Sequence, residues 1–209
     1  MKKVSVAPGT LLAPLPVVMV SLSDGKEDNI ITIEWTGIIN SEPPMTYISV
    51  RPSRHSYAML KKSREFVINL VNRDLVYAMD YCGCKTGAKE DKFESMHLTR
   101  MPADKVSCPM IAESPINLEC KVTCIKKLGT HDMFMAEIVA IHVDSNLMQK
   151  SGRLAYEKAE LVTCMHGEYY GLDPKRLGFH GYTVMKPKTV KKRKAEGKRT
   201  SGKKAHFER

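Results

Sequence analysis

Apolar residues along this chain fall in short runs bounded by turn formers, a pattern that predicts strands with a few intervening helices. Pro16–Leu22 is one such run. It is ended by Ser23, Asp24 and Gly25, and Asn29–Glu34 returns from that turn as its partner strand. The stretch Thr32–Tyr57 then reads as a strand that loosens at Trp35, Thr36 and Gly37, a turn at Ser41–Pro44, a second strand over Met45–Val50 and a helix start. Pro43 and Pro44 forbid helix there and cannot donate to a sheet ladder. Ser53 is positioned as the N-cap of a helix to about Arg64, with Tyr57 and Leu60 on its buried side and Lys61, Lys62 and Arg64 at its solvated end.

Further along, Phe66–Val71 is an apolar strand, and Asp74–Tyr81 predicts a second helix stopping at Gly83. Thr86–Lys92 is a polar loop, and Phe93–Met101 holds a short helical turn. Asn117–Lys127 and Met133–Ser145 are the two longest strands, joined by a hairpin loop at Leu128–Asp132. Both faces of Met133–Ser145 are largely apolar, which predicts cover on both sides, with a helix or a second copy of the chain on the outer one. Antiparallel strands with hairpin connections and few helices point to a mainly β fold, a β-barrel with α additions, and away from a nucleotide-binding doubly wound sheet. No glycine-rich dinucleotide or P-loop signature follows any strand.

Charge changes the picture in one place. The chain of 209 residues carries a formal charge of +10, but residues 183–209 hold 11 of the 33 Lys/Arg and 2 of the 23 Asp/Glu. Residues 1–182 therefore form a nearly neutral folded domain, and 183–209 a basic tail without apolar periodicity, expected to be disordered. The tail reads as a solubilising extension, as an electrostatic dock for an acidic protein partner, or as a non-specific nucleic-acid tether. It lacks the interleaved aromatics of a specific reader. No apolar run has the roughly 20 residues a bilayer span needs. Prolines at positions 8, 14 and 16 break the N-terminal apolar stretch, which reads as an arm leading into a strand. The six cysteines form no C-x-x-C pair, so free thiols and a cytoplasmic location are expected, and no histidine has zinc-ligand spacing to them.

Three clusters carry candidate chemistry. At the predicted helix start, Arg51, Ser53, Arg54, His55 and Ser56 surround unpaired backbone N–H groups, which suits a phosphate; an ordinary cap with solvated charges is the alternative. Trp35, Thr36 and Gly37, with Thr32 on the same face as Thr36, offer an apolar surface beside accessible backbone; a core tryptophan next to a bulge is the alternative. Thr86, Gly87, Asp91 and Lys92 form a polar loop able to close over an anion, or a solvated surface loop, and Cys82 just before it reads as a pocket residue or a buried inert thiol. No side chain is marked as a catalytic acid, base or nucleophile, and His131 beside Asp132 reads as packing at the edge of a site.

The phrases Asn29–Ile38, Ser49–Pro52, Arg54–Tyr57, Glu65–Leu70, Asp80–Gly83, Asp91–Phe93, Pro115–Cys120, Leu128–Asp132 and His166–Tyr169 recur in the order of one family. Through them the chain resembles the flavin reductase-like FMN-binding split barrels, most closely their flavoredoxin-like branch, over roughly residues 10 to 172. The resemblance implies a six-stranded antiparallel Greek-key split barrel, a homodimer, and FMN held near the subunit interface. It puts the FMN phosphate at Arg51–Ser56 and the flavin pocket at Thr32, Thr36 and Cys82. It also implies a flavin-dependent oxidoreductase that takes electrons from NADH, NADPH or a protein donor and passes them to a protein acceptor or to a flavin that can leave.

Overall fold

The computed structural model describes residues 1–186 and Thr189, and its chain divides into two compact units, Met1–Asp173 and Pro174–Arg209. The basic segment 183–209 lies outside the described residues except for 183–186 and Thr189. In the second unit, Phe179 packs edge-on against Tyr182 and the Arg176 guanidinium lies over the Phe179 ring.

The first unit is built on one antiparallel sheet of seven strands. These are β1 (Val18–Ser23), β2 (Asp28–Ile33), β3 (Thr36–Ser41), β4 (Pro44–Val50), β5 (Glu65–Leu70), β6 (Ile116–Lys127) and β7 (Asp132–Val143), in the order β2-β1-β5-β6-β7-β4-β3. Side chains alternate across it as a pleated strand requires. On β1, Val18, Val20 and Leu22 point into the main core, while Met19 points outward into a second apolar cluster. On β2, Ile31 and Ile33 go inward and Ile30 outward. Phe66, Phe134, Ile48 and Val50 from the remaining strands meet the same inner core, so the sheet curls around it. The hydrogen bond from Ser49 N to Trp35 O, 3.0 Å, joins the β2 end of the curl to β4.

Helix α1 (His55–Ser63) plugs the barrel with Met59 and Leu60. Helix α2 (Val76–Cys84) lies on the outer face of β2, where Ala78, Met79 and Cys82 cover Ile30 and Met19. The short α3 (Lys92–Ser95) is capped by the Asp91 carboxylate, which accepts from Phe93 N and Glu94 N. Strands β8 (Val162–Met165) and β9 (Glu168–Gly171) form a small sheet with Leu15–Pro16.

Three sequence expectations are corrected. The strand count in the main sheet is seven: Thr36–Ser41, expected to be loosened chain and turn, forms β3, paired with β4 around a bulge between Ile38 and Asn40. The cap of α1 is Arg54 without a side-chain cap bond, and Ser53 lies one residue too early. The turn made by Arg54 N on Arg51 O sets that later start. Helix α2 passes through Gly83 to Cys84, and Gly83 serves packing instead of termination. A Cβ there would sit 3.1 Å from Thr32 Cβ, so the absence of a side chain lets helix and strand touch. On the outer face of β7, Val139 packs against Val106, Cys108 and Met110 from a loop of the same chain, and Ile141 is exposed within the single chain.

Candidate functional site

A cleft opens where the end of β2, the start of α1 and the end of α2 converge, and it has two lobes. The larger, about 310 Å³, is walled by Ile31–Trp35, Ser49–Arg51, Asp80, His131 and Tyr169. The smaller, about 130 Å³, is walled by Asn29, Ser53–Ser56, Cys82, Lys85–Gly87 and Lys92. Ile31, Arg54, Gly83 and Cys84 border both and mark their junction.

The small lobe is assembled from three segments far apart in sequence. From α1 come first-turn N–H groups without a side-chain cap, with Ser53, Arg54, His55 and Ser56 around them. From α3 comes Lys92, 3% exposed, whose ammonium donates to the carbonyls of Ile30 and Cys82, each at 2.7 Å. Burial lowers its pKa from the ordinary lysine value. Both of those hydrogen-bond partners are neutral carbonyls, so it brings an electropositive field to the lobe. From β2 comes Asn29, 2% exposed. Its Nδ2 donates to Ser56 Oγ at 2.9 Å and its Oδ1 is buried without a partner. Turned over, the amide would accept from the Ser56 hydroxyl and offer its NH₂ instead, so in either orientation one polar group is left over. Gly87 closes against it: a Cβ there would fall 2.2 Å from Asn29 Oδ1. His55 has Nε2 2.8 Å from Glu27 Oε1.

The large lobe is aromatic and cationic on one side and acidic on the other. Trp35, 37% exposed, packs against His131 with ring centroids 4.4 Å apart and planes tilted by 44°. Arg51 Nε approaches His131 Nε2 at 3.4 Å. Burial, then Arg51 and Arg54, hold His131 below its ordinary pKa, which favours the neutral ring. Opposite, Tyr169 donates its hydroxyl to Asp80 at 2.8 Å, and burial followed by that carboxylate raises the phenol's pKa. Thr32 turns its hydroxyl onto the Met79 carbonyl, tying β2 to α2.

Of the residues singled out in the sequence, Ser53, Arg54, His55, Ser56, Cys82, Thr86, Gly87 and Lys92 converge on the small lobe. Thr32, Trp35 and Arg51 line the large one. Arg51 thus lines the large lobe and not the small one, and Arg54 is the arginine common to both. Thr36 and Gly37 line neither lobe, because β3 carries them away: Thr36 Oγ1 donates to Tyr47 O at 2.5 Å, and Gly37 faces the Tyr47 ring. Lys92, expected in a loop, is the first residue of α3. Sequence reasoning passed over Asn29, Asp80, Cys84 and Tyr169 as site residues, although Asn29, Asp80 and Tyr169 sit inside the recurring phrases.

Outside the cleft, Asp104, Glu119 and His142 gather closely enough to suggest a cation site. Both Glu119 oxygens are already engaged by backbone N–H groups and His142, so the cluster is a structural clasp.

Comparison with known proteins agrees with this architecture. The flavin reductase like domain matches residues 11–164. Flavoredoxin of Desulfovibrio vulgaris (Miyazaki F) superposes with a TM-score of 0.81 at 29% identity, covering 88% of this chain and 100% of that one. An uncharacterized protein of Pyrococcus abyssi is 30% identical over 130 residues, 62% of this chain and 74% of its own length. An FMN reductase (NADH) of Rhizobium rhizogenes is 24% identical over 103 residues, 49% of this chain and 57% of its own length. With a family domain matched across most of the folded unit and a flavoredoxin superposed over its whole length, the chain belongs to the flavin reductase-like family, in its flavoredoxin-like branch.

Proposed function

We propose that the chain binds FMN in this cleft and works as an oxidoreductase that carries electrons on it. The small lobe carries the reading. An uncapped helix N-terminus, the buried Lys92 ammonium and an unpartnered Asn29 amide group converge there, a donor set suited to a phosphomonoester. Arg54, Ser53 and Lys92 would hold the phosphate, the leftover Asn29 group would meet the phosphate or a ribityl hydroxyl, and Trp35 would flank the ring in the large lobe. Bound FMN supplies hydride and single-electron exchange. The chain's part is to hold and orient: Lys92 and Arg54 balance the phosphate charge, His131 stays neutral beside Trp35, and the Tyr169–Asp80 pair fixes the acidic wall.

NADH or NADPH as the electron donor is the second reading. It is favoured by the similarity to an FMN reductase (NADH), whereas the flavoredoxin likeness favours a protein donor and acceptor. Ile38 and Ile39 on the edge strand β3, 69% and 44% exposed, support a homodimer that covers them. Six free cysteines fit a reducing cytoplasm, and among the described residues no helix is long and apolar enough to cross a membrane.

The test uses the only tryptophan in the chain. Titrating flavin-free protein with FMN should quench Trp35 emission saturably, and flavin should stay with the protein through desalting. Bleaching of that flavin by NADH or NADPH would identify a reductase, and persistence with both a protein-fed carrier. Unquenched emission together with flavin-free protein after desalting would overturn the assignment.

A further inference from the structure

Cys84 is the last residue of α2 and lies at the junction of the two lobes. It is exposed, whereas Cys82, Cys108, Cys120 and Cys164 are buried. Burial pushes the Cys82 thiol up to about 11 and the Cys108 thiol up to about 12, and raises Cys120 and Cys164 as well. A thiol attacks as its thiolate, so the buried four are inert near neutral pH. Cys124, the other exposed cysteine, sits on β6 opposite Met135 and lines neither lobe. Cys84 is therefore the accessible sulfur of the cleft. A second feature of the same wall points to a ligand: the buried Asn29 amide keeps one polar group unpartnered in the small lobe, beside the Lys92 ammonium. Anions drawn toward Lys92 and Arg54 come within reach of Cys84.

We propose that Cys84 is a thiol–disulfide exchange site through which small anionic disulfides close the cleft to its cofactor. This rests on the reading of the cleft as an FMN site. In the step, the Cys84 thiolate attacks one sulfur of a disulfide RSSR. A Cys84–S–S–R bond forms and the RS–SR bond breaks. The departing RS⁻ takes the bonding pair, and the proton lost from Cys84 goes to solvent. Cys84 is oxidised to the mixed disulfide, half of the reagent is reduced to thiol, and excess thiol reverses the exchange. The adduct projects from the junction that a ligand spanning both lobes has to cross, so adduct and FMN exclude each other.

The probe is dithiobis(nitrobenzoate), an anionic aromatic disulfide that releases a coloured thiol. It is applied to full-length Cys124→Ser protein and to the Cys84→Ser/Cys124→Ser double variant. The single variant should release one equivalent of coloured thiol, the double variant none, and prior FMN should suppress the release. The adduct should lose FMN uptake and regain it with dithiothreitol, while FMN uptake by the double variant should resist the reagent. Equal release from both variants, no protection by FMN, or full FMN uptake by the adduct overturns the proposal. Absence of FMN uptake by untreated protein instead overturns the FMN reading, and this inference with it.

Discussion

Replacing Lys92 by methionine is expected to weaken FMN binding by roughly 10- to 100-fold, the worth of about 1.5–3 kcal/mol for a hydrogen bond to a charged group. Binding of riboflavin, which lacks the phosphate, should hardly change. Stability without flavin should move by only about 1 kcal/mol, because two carbonyls losing a donor offset the relief of a desolvated charge. That combination separates a binding role from a packing role. The sign of the pH effect gives an independent check. Burial depresses the Lys92 pKa in the folded state below the ordinary 10.5, so between the two values the unfolded chain binds more protons. Stability of the flavin-free protein therefore rises with pH through that window, and FMN affinity falls as the ammonium is lost. Lys92→Met should flatten both trends. Fluorescence titrations with FMN and with riboflavin across pH, and denaturant midpoints of the flavin-free protein, read all of it. Equal losses for the two flavins would move the phosphate out of the small lobe.

How much of this site was legible beforehand differs from residue to residue, for physical reasons. The helix start at Arg51–Ser56 was visible because turn chemistry and N-terminal residue types are local signals. The one-residue error at Ser53 arose because a hydroxyl in cap position says nothing about the Arg51–Arg54 turn that sets where the helix begins. Lys92 was found as an anion ligand for a loop, but its leverage comes from burial between α2 and β2, a tertiary fact. Asn29 shows the limit most clearly. An asparagine beginning an apolar strand reads as an edge residue, and only folding places Ser56 on one side of its amide and Gly87 on the other.

The fold shows the same division. The hairpin Leu128–Asp132, the strands around it and the barrel-facing alternation on β1 and β2 follow from period and turn residues. Strand β3 was missed because Gly37 and the prolines after Ser41 carry turn chemistry, while its pairing with β4 depends on a bulge that no local pattern announces. Gly83 reads as a helix stop because glycine commonly ends helices, yet its role is set by Thr32 on a different element.

Glu119 was invisible for the same reason, and it carries the second large effect. It stands in an apolar stretch of β6, fully buried, and accepts from the backbone N–H groups of Asp104 at 2.8 Å, Lys105 at 2.6 Å and Val106 at 3.1 Å, with His142 Nε2 at 2.5 Å. Beside it on β5, Glu65 accepts from the N–H and hydroxyl of Ser107, so two carboxylates fasten one loop. Glu119→Ala should cost about 3–5 kcal/mol, since it strands three backbone donors and an imidazole partner at once. For a domain of this size that lowers Tm by roughly 10–15 °C. Burial pushes the Glu119 pKa up, but the Asp104 N–H, His142 and the Lys105 N–H outweigh it and leave the group below its ordinary 4.5. A carboxylate depressed in the folded state contributes stability that is complete above the unfolded value and is lost as pH falls through the folded one. Wild-type protein should therefore weaken progressively as pH drops below about 4.5. Glu119→Gln, which keeps the shape but cannot ionise, should start from lower stability and show a shallower acid limb. Urea midpoints of the three proteins from neutral to acid pH decide the matter. Parallel acid limbs for wild type and Glu119→Gln would mean that other carboxylates, Glu65 first among them, carry the acid sensitivity of the barrel.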